Sequence, residues 1–152
     1  MLKIKNLCVS MDGKPLLKNI NLEINDGDRY RIAGQNGSGK STLANTIAGN
    51  PSYTIDSGKI LFNDKDITNE NATTRALMGI FLGAQNVPEI PGLTILSFLK
   101  HSMLAHKHFE DGHDLSMGEF LEKLDQAREQ LNLPKQWLNR CVNVGFSGGE
   151  RK

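Results

Sequence analysis

Apolar and polar residues alternate over the first part of the chain, and this alternation predicts a β-hairpin. The apolar residues in positions 2–9 are mostly two apart, as in a strand that buries one face. The chain then reaches DGKP at 12–15, which is typical of a tight turn. A second alternating segment, NINLEI at 19–24, is therefore expected to pair back on the first strand.

The pattern then changes from strand to helix across a glycine-rich stretch. Residues 30–33 are predicted to form a short strand that runs directly into GQNGSGKST, residues 34–42, which we call the glycine loop. Small and apolar residues follow at helical spacing, including Leu43 and Ile47, up to a helix stop signal at 49–51. The predicted order is strand, glycine loop, helix.

Three further elements are predicted in the middle of the chain. Residues 57–67 favour a second hairpin whose turn is Asn63-Asp64. A short helix is predicted at 73–78. The apolar run at 79–83 predicts a buried strand that ends near Gln85.

The pattern from residue 94 to 138 is helical, with breaks at Gly112 and Pro134. Its strongest signal is a capping box, in which Ser116 and Glu119 would satisfy the first amides of a helix. The apolar face of that helix is predicted to contain Phe120, Leu124, Ala127 and Leu131.

Composition narrows the class of protein. The 152 residues include 18 Lys and Arg against 17 Asp and Glu, so a net charge of +1 predicts no general attraction to nucleic acid. No apolar run has the length of a signal peptide or a membrane span, so we predict a soluble, cytoplasmic protein without direct membrane insertion. Cys8 and Cys141 are far apart in sequence and favour reduced thiols over a disulfide scaffold.

The glycine loop carries the clearest chemistry. It contains G-x-x-x-x-G-K-S, in which glycines allow successive backbone N–H groups to point at phosphate oxygens. Lys40 would reach the β- and γ-phosphates, and the Ser41 hydroxyl would bind Mg²⁺. The alternative is a glycine-rich turn that binds nothing, which the predicted strand and helix on either side disfavour. Such a loop serves GTPases, kinases and ATPases alike.

Taken in order, the glycine loop, Gln85, a helical insertion and FSGGE at 146–150 resemble the nucleotide-binding domain of ATP-binding-cassette (ABC) proteins. FSGGE is similar to the family signature LSGGQ. The resemblance implies an α/β P-loop NTPase fold with an antiparallel β subdomain and a helical subdomain, here incomplete. It divides the chain into an ATP-binding core at 1–86, a glutamine-loop extension and helical subdomain at 87–146, and a truncated signature at 147–152.

The resemblance also implies the site residues and the ligands ATP and Mg²⁺. Those expected to bind ATP are Gly34, Gln35, Asn36, Gly37, Ser38, Gly39, Lys40, Ser41 and Thr42. Ser41 and Gln85 are the implied Mg²⁺ ligands. The signature residues Ser147, Gly148, Gly149 and Glu150 are expected to contact ATP held by a partner subunit. This arrangement implies a transient, ATP-dependent homodimer.

Within that family the chain resembles the SufC ATPases of the Suf iron–sulfur cluster assembly system. NVPEIPGLTILSFL at 86–99 is similar to their extended glutamine loop, and residues 140–152 are close to their approach to the signature. No aromatic residue stands near Met11, where many cassettes stack adenine. A SufB/SufD-type scaffold is the implied partner. The alternatives are the ATP-binding subunit of an ABC transporter and a non-hydrolysing ATP-binding fragment.

The family pattern continues beyond the signature with a strand ending in Asp-Glu and a switch histidine. The chain as given ends at Lys152 without them, so no catalytic residue is assigned. We therefore expect this chain to bind ATP but not to hydrolyse it competently alone, because that Glu would polarise the attacking water. An isolated chain of this length is also expected to be marginally stable or prone to aggregate.

Two other features of the sequence could indicate binding sites, but we interpret both as structural. The four histidines, His101, His106, His108 and His113, lie among charged residues and favour a solvated surface over a metal site. Trp137, alone in an apolar stretch, is expected in the core and not against adenine.

Overall fold

The computed structural model describes residues 1–83 and 87–150. It divides into two compact units, Met1–Gly83 and Ala84–Lys152. The predicted Mg²⁺ ligand Gln85 lies outside the described residues, as do the last two positions of the truncated signature segment.

An antiparallel four-stranded sheet forms the first unit. Its strands are β1 (Leu2–Met11), β2 (Lys14–Ile24), β3 (Thr54–Phe62) and β4 (Lys65–Asp66), in the spatial order β2-β1-β3-β4. Both hairpin turns have two residues, and all four of these have positive φ: Asp12, Gly13, Asn63 and Asp64. Positive φ at both central positions is what a type I′ turn requires, and Asn, Asp and Gly tolerate it best. Both predicted hairpins are confirmed.

The core of this unit lies between the sheet and the helix that follows the glycine loop. That helix is α1 (Lys40–Ile47), which contributes Leu43 to the core. A second short helix, α2 (Ala72–Leu77), starts at Asn71, whose side chain accepts a hydrogen bond from the Thr74 N–H. Both helices were predicted. The buried apolar residues are Ile4, Leu7, Val9, Leu17, Leu43, Ile60 and Ile67.

Two predicted strands are wrong. Within the described part of the first unit, neither 30–33 nor 79–83 forms a strand, and Phe81 is 92% exposed. The apolar pattern of each segment was the evidence for a strand, but a strand also needs a neighbour to satisfy its backbone groups. The sheet of this unit contains only β1 to β4, and neither segment pairs with them.

The second unit is mainly helical, as predicted. It contains β5 (Ile90–Thr94), α3 (Ile95–Asp111), α4 (Met117–Gln130), a 3₁₀ helix at Lys135–Asn139 and β6 (Cys141–Val142). The β5–β6 pair was not predicted, because β5 includes a proline and a glycine and β6 has only two residues. No helix in the described ranges has both the length and the apolar character that a bilayer crossing needs.

Helix α4 begins with the predicted capping box. Ser116 Oγ accepts from the Glu119 N–H at 3.2 Å, and Glu119 Oε2 accepts from the Ser116 N–H at 3.0 Å. The Ser116 hydroxyl also donates to Glu119 Oε2 at 2.7 Å, and this bond, followed by those from the Ser116 N–H and Lys107, lowers the pKa of Glu119 to about 2. The predicted apolar face is only partly buried, because Phe120 and Leu124 are in the interior whereas Leu131 is 68% exposed.

Candidate functional site

The glycine loop lies close to strand β2. Its turn is closed by a hydrogen bond from the Ser38 N–H to the Gln35 carbonyl at 3.2 Å. Gly39 has φ +90°, and a Cβ atom on it would lie 2.6 Å from Leu17 Cδ2. Gly37 also has positive φ, +82°, but open space surrounds it. Position 39 therefore requires glycine for both conformation and space, and position 37 for conformation alone.

The first turn of α1 offers backbone N–H groups without a side-chain cap. Gly39 is the N-cap and has no side chain, and the first turn of α1 contains no acidic residue. The amides of the first turn and the positive end of the helix dipole are thus available to an anion. Ser41 lies in this turn and is exposed, so its hydroxyl is accessible to a ligand.

Lys40 extends its side chain back over the loop. Its Nζ donates to the carbonyls of Gly34 at 2.9 Å and Gln35 at 2.7 Å, and lies 3.5 Å from Ser38 Oγ. The ammonium neutralises carbonyl groups that would otherwise repel an anion. The glycine loop thus combines a fixed positive charge with exposed amides, and this donor set fits a polyphosphate.

Arg75 binds the C-terminal end of α1. The sequence patterns did not identify this residue. The residue is only 2% exposed, and its guanidinium donates to two carbonyls in the last turn of α1, Thr46 at 2.7 Å and Ile47 at 3.0 Å. It also donates to the carbonyls of Thr68 and Glu70, both at 2.9 Å. Burial lowers the pKa of Arg75. A cation at a helix C-terminus complements the helix dipole, so Arg75 fixes the helix that presents Lys40.

The described signature residues, Ser147 to Glu150, form a turn that we call the signature turn. The Ser147 N–H donates to Glu150 Oε2 at 2.8 Å, and the Glu150 N–H donates to Ser147 Oγ at 3.4 Å. This is the reciprocal pattern of a capping box. The Ser147 amide first, and then the Arg140 guanidinium, lower the pKa of Glu150 to about 2. Gly148 and Gly149 are exposed, and a Cβ on either would meet nothing within 4 Å.

Trp137 is half-buried next to this turn. Its ring lies edge-on to Phe146, with centroids 5.7 Å apart. It therefore packs within the second unit, although it is less buried than the core position predicted from sequence. No pattern in the sequence linked it to Phe146 or to the signature turn.

The histidines show no metal site within the described ranges, where no group of three or more His, Cys, Asp and Glu side chains is close enough to hold an ion. His101 Nδ1 is 2.7 Å from the Ser97 carbonyl, one turn earlier on α3. Both cysteines are free thiols.

Comparison with known proteins places the chain among ATP-binding cassettes. The family model described as ABC transporter matches residues 17–152. The chain is 42% identical over 152 residues to the probable ATP-dependent transporter ycf16 of Antithamnion sp., covering 100% of the chain and 61% of that protein. It is 41% identical over 152 residues to a probable ABC transporter ATP-binding protein of Streptococcus pyogenes serotype M18, covering 100% of the chain and 59% of that protein.

The solved structures agree on the fold. One of them, described as the dimeric post-hydrolysis state of an ATP-binding cassette bound to ADP and Pi, has a TM-score of 0.73 at 24% identity. The match covers 99% of the chain and 65% of that structure. The predicted α/β cassette fold is therefore confirmed, and the chain spans about 60% of the length of the curated relatives described above.

Proposed function

The chain belongs to the ABC transporter family, and from this premise we propose that it is the ATP-binding part of an ATPase subunit in a SUF-type iron–sulfur cluster assembly complex. The position of Lys40 is the main observation that supports ATP binding. Its ammonium lies over the glycine loop, 2.7 Å from the Gln35 carbonyl, at the uncapped start of α1. The phosphates of ATP would bind there, between the ammonium and the amides of residues 34–42.

Mg²⁺ would accompany the nucleotide. The exposed Ser41 hydroxyl is a suitable oxygen ligand, and Gln85 is proposed as a second. The ion would supply charge neutralisation for the phosphate oxygens. The residues of this chain would orient the phosphates and hold them next to the Lys40 ammonium.

The signature turn would act on a second subunit. Gly148 and Gly149 are exposed in open space, which suits contact with a terminal phosphate that another copy of the chain holds. A similar cassette structure is described as dimeric, and this supports an ATP-dependent homodimer. ATP would then join two subunits, and loss of the γ-phosphate would separate them.

Assignment to the Suf system depends on the two segments that resemble SufC, NVPEIPGLTILSFL at 86–99 and the approach to the signature at 140–152. Both lie in the second unit, where they are held next to each other. β5 pairs with β6, and Asn143 Nδ2 donates to the Pro88 carbonyl at 2.8 Å. The Ile95 N–H donates to the Arg140 carbonyl at 3.0 Å. The two Suf-like segments are thus one structural feature, a surface on which a SufB/SufD-type scaffold would bind.

A transporter ATP-binding subunit is the second candidate, and the names of the two curated relatives favour it. The two candidates differ in partner. We expect the purified chain to form a complex with a purified SufB/SufD-type scaffold in size-exclusion chromatography. Association with a purified membrane permease, without binding to the scaffold, would reverse the assignment.

Nucleotide binding is tested by calorimetry with Mg–ATP on the full chain. Lys40→Ala should weaken binding by about a hundredfold, because it removes the loop's ammonium. Lys14→Ala, which removes an exposed lysine from the same unit, is the control and should bind as the wild type does. Equal affinity of the Lys40→Ala variant and the wild type would contradict the proposed site. Phosphate release measured in parallel would separate an ATPase from a fragment that only binds.

A further inference from the structure

Arg140 lies outside the signature, yet its guanidinium is the centre of a cluster that holds the signature turn. Its Cζ is 4.0 Å from the centroid of the Phe146 ring and 5.6 Å from that of Trp137. Its Nη1 donates to Glu150 Oε1 at 2.9 Å. A planar guanidinium can stack on aromatic rings and bind a carboxylate at the same time.

The two oxygens of Glu150 have different partners. Oε1 accepts from Arg140, and Oε2 accepts from the Ser147 N–H at 2.8 Å. The side chain of Glu150 is therefore directed at the base of its own turn. A glutamine here, the usual residue in the family signature, has one acceptor oxygen, so in the same orientation its NH₂ group would face one of these two donors.

The backbone of Arg140 is also fixed. Its carbonyl accepts from the Ile95 N–H at 3.0 Å at the start of α3, and its own N–H donates to the Trp137 carbonyl at 3.0 Å. Backbone hydrogen bonds thus fix the position of Arg140 in the chain, and its guanidinium lies against two aromatic rings. These contacts connect the start of α3 to the signature turn within the second unit.

We propose that Arg140 is a positioning residue for the signature turn. Through Glu150 it fixes the Ser147 amide, and the turn then keeps Gly148 and Gly149 available to the terminal phosphate of ATP on a second copy of the chain. Glu150 is in this view a structural anchor that does not touch nucleotide. This inference rests on the proposed function, because it assigns a purpose to the intermolecular contact proposed above.

The test compares ATP binding with ATP-dependent self-association. Sedimentation velocity is measured on the full chain with a non-hydrolysable Mg–ATP analogue, and calorimetry measures binding of the same analogue. Arg140→Gln should weaken self-association about tenfold, the effect of losing a hydrogen bond to a charged group, and leave analogue binding within about twofold. Arg128→Gln is the matched control, since Arg128 also pairs with carboxylates, Asp125 and Glu129, in the second unit.

Glu150→Gln supplies a second, conservative variant. If Arg140 acts through Glu150, the double variant should associate no more weakly than Arg140→Gln alone. Trp137 is the only tryptophan in the chain, so its fluorescence reports whether the cluster is intact in each variant. Retained analogue binding shows that the first unit is folded.

Several results would contradict the proposal. Self-association of Arg140→Gln equal to that of the wild type, or additive losses in the double variant, would remove the positioning role and leave the proposed function in place. A wild-type chain that binds the analogue and stays monomeric would overturn the intermolecular contact and this inference together. A wild-type chain that does not bind the analogue would overturn the ATP site itself.

Discussion

Replacing Arg75 with methionine should destabilise the first unit by removing the donors for four backbone carbonyls. Methionine fills much of the same volume, so the change tests hydrogen bonding more than packing. The Thr46 carbonyl also accepts from the Gly49 N–H at 3.1 Å and keeps a partner. The other three carbonyls, at Ile47, Thr68 and Glu70, lose the arginine donor.

The size of the effect follows from these contacts. Three partly buried carbonyls that lose a donor cost about 1 to 1.3 kcal/mol each, or about 3 to 4 kcal/mol together. The guanidinium is itself desolvated in the folded state, so removing it offsets about 1 kcal/mol of that cost. The free energy of unfolding should therefore fall by about 2 to 3 kcal/mol, a large loss for a single domain.

Urea unfolding followed by far-ultraviolet circular dichroism measures this loss through the transition midpoint. Arg75→Lys should recover less than half of the loss, because one ammonium cannot reach carbonyls in both the last turn of α1 and residues 68–70. Arg31→Met, which removes an exposed arginine of the same unit, should change stability by less than about 0.5 kcal/mol. If Arg75→Met lowers the free energy of unfolding by no more than Arg31→Met does, the stabilising role of the buried guanidinium is refuted.

Two further outcomes are expected in stability measurements. Gly39→Ala should cost about 2 to 4 kcal/mol, because about 1 kcal/mol of backbone strain at φ +90° adds to an overpacking cost of about 1 to 3 kcal/mol where its Cβ would lie 2.6 Å from Leu17 Cδ2. Gly37→Ala should cost only about 1 kcal/mol of backbone strain, and equal melting temperatures for the two variants would contradict this. Contacts with Ser116 lower the pKa of Glu119 from 4.5 to about 2, so its stabilisation is present above about pH 4.5 and is lost as pH falls toward 2. Melting temperatures over that range should fall more for the wild type than for Glu119→Gln, and parallel curves would refute the assignment.

Local signals in the sequence predicted local structure well. Asn63-Asp64 gave the position of a hairpin turn because few residues other than glycine tolerate positive φ. Ser116 and Glu119 gave the start of α4 because their capping contacts span only three residues. In both cases the residues that determine the structure are neighbours in the chain, and so the pattern was sufficient.

Predictions that depended on distant partners did less well. The segment 79–83 has the apolar composition of a buried strand, but the sheet of the first unit offers it no neighbour, and Phe81 is exposed. The burial of Arg75 could not be predicted, because its acceptors come from two separate parts of the first unit, the last turn of α1 and residues 68–70. An arginine in a short polar helix carries no signal that distinguishes it from a surface residue.

In both candidate phosphate contacts, a charged side chain forms hydrogen bonds with some backbone groups and leaves others available. In the glycine loop, Lys40 occupies the carbonyls of Gly34 and Gln35, and the amides at the start of α1 remain available. In the signature turn, Glu150 takes one amide, that of Ser147, and the two glycines that follow remain exposed. A sequence motif made of glycines and one or two polar residues identifies only the groups that would contact the ligand. The motifs do not include Arg75 and Arg140, which hold α1 and the signature turn through contacts made from outside each motif. The strongest test of each motif is therefore a substitution at a residue that is not part of it.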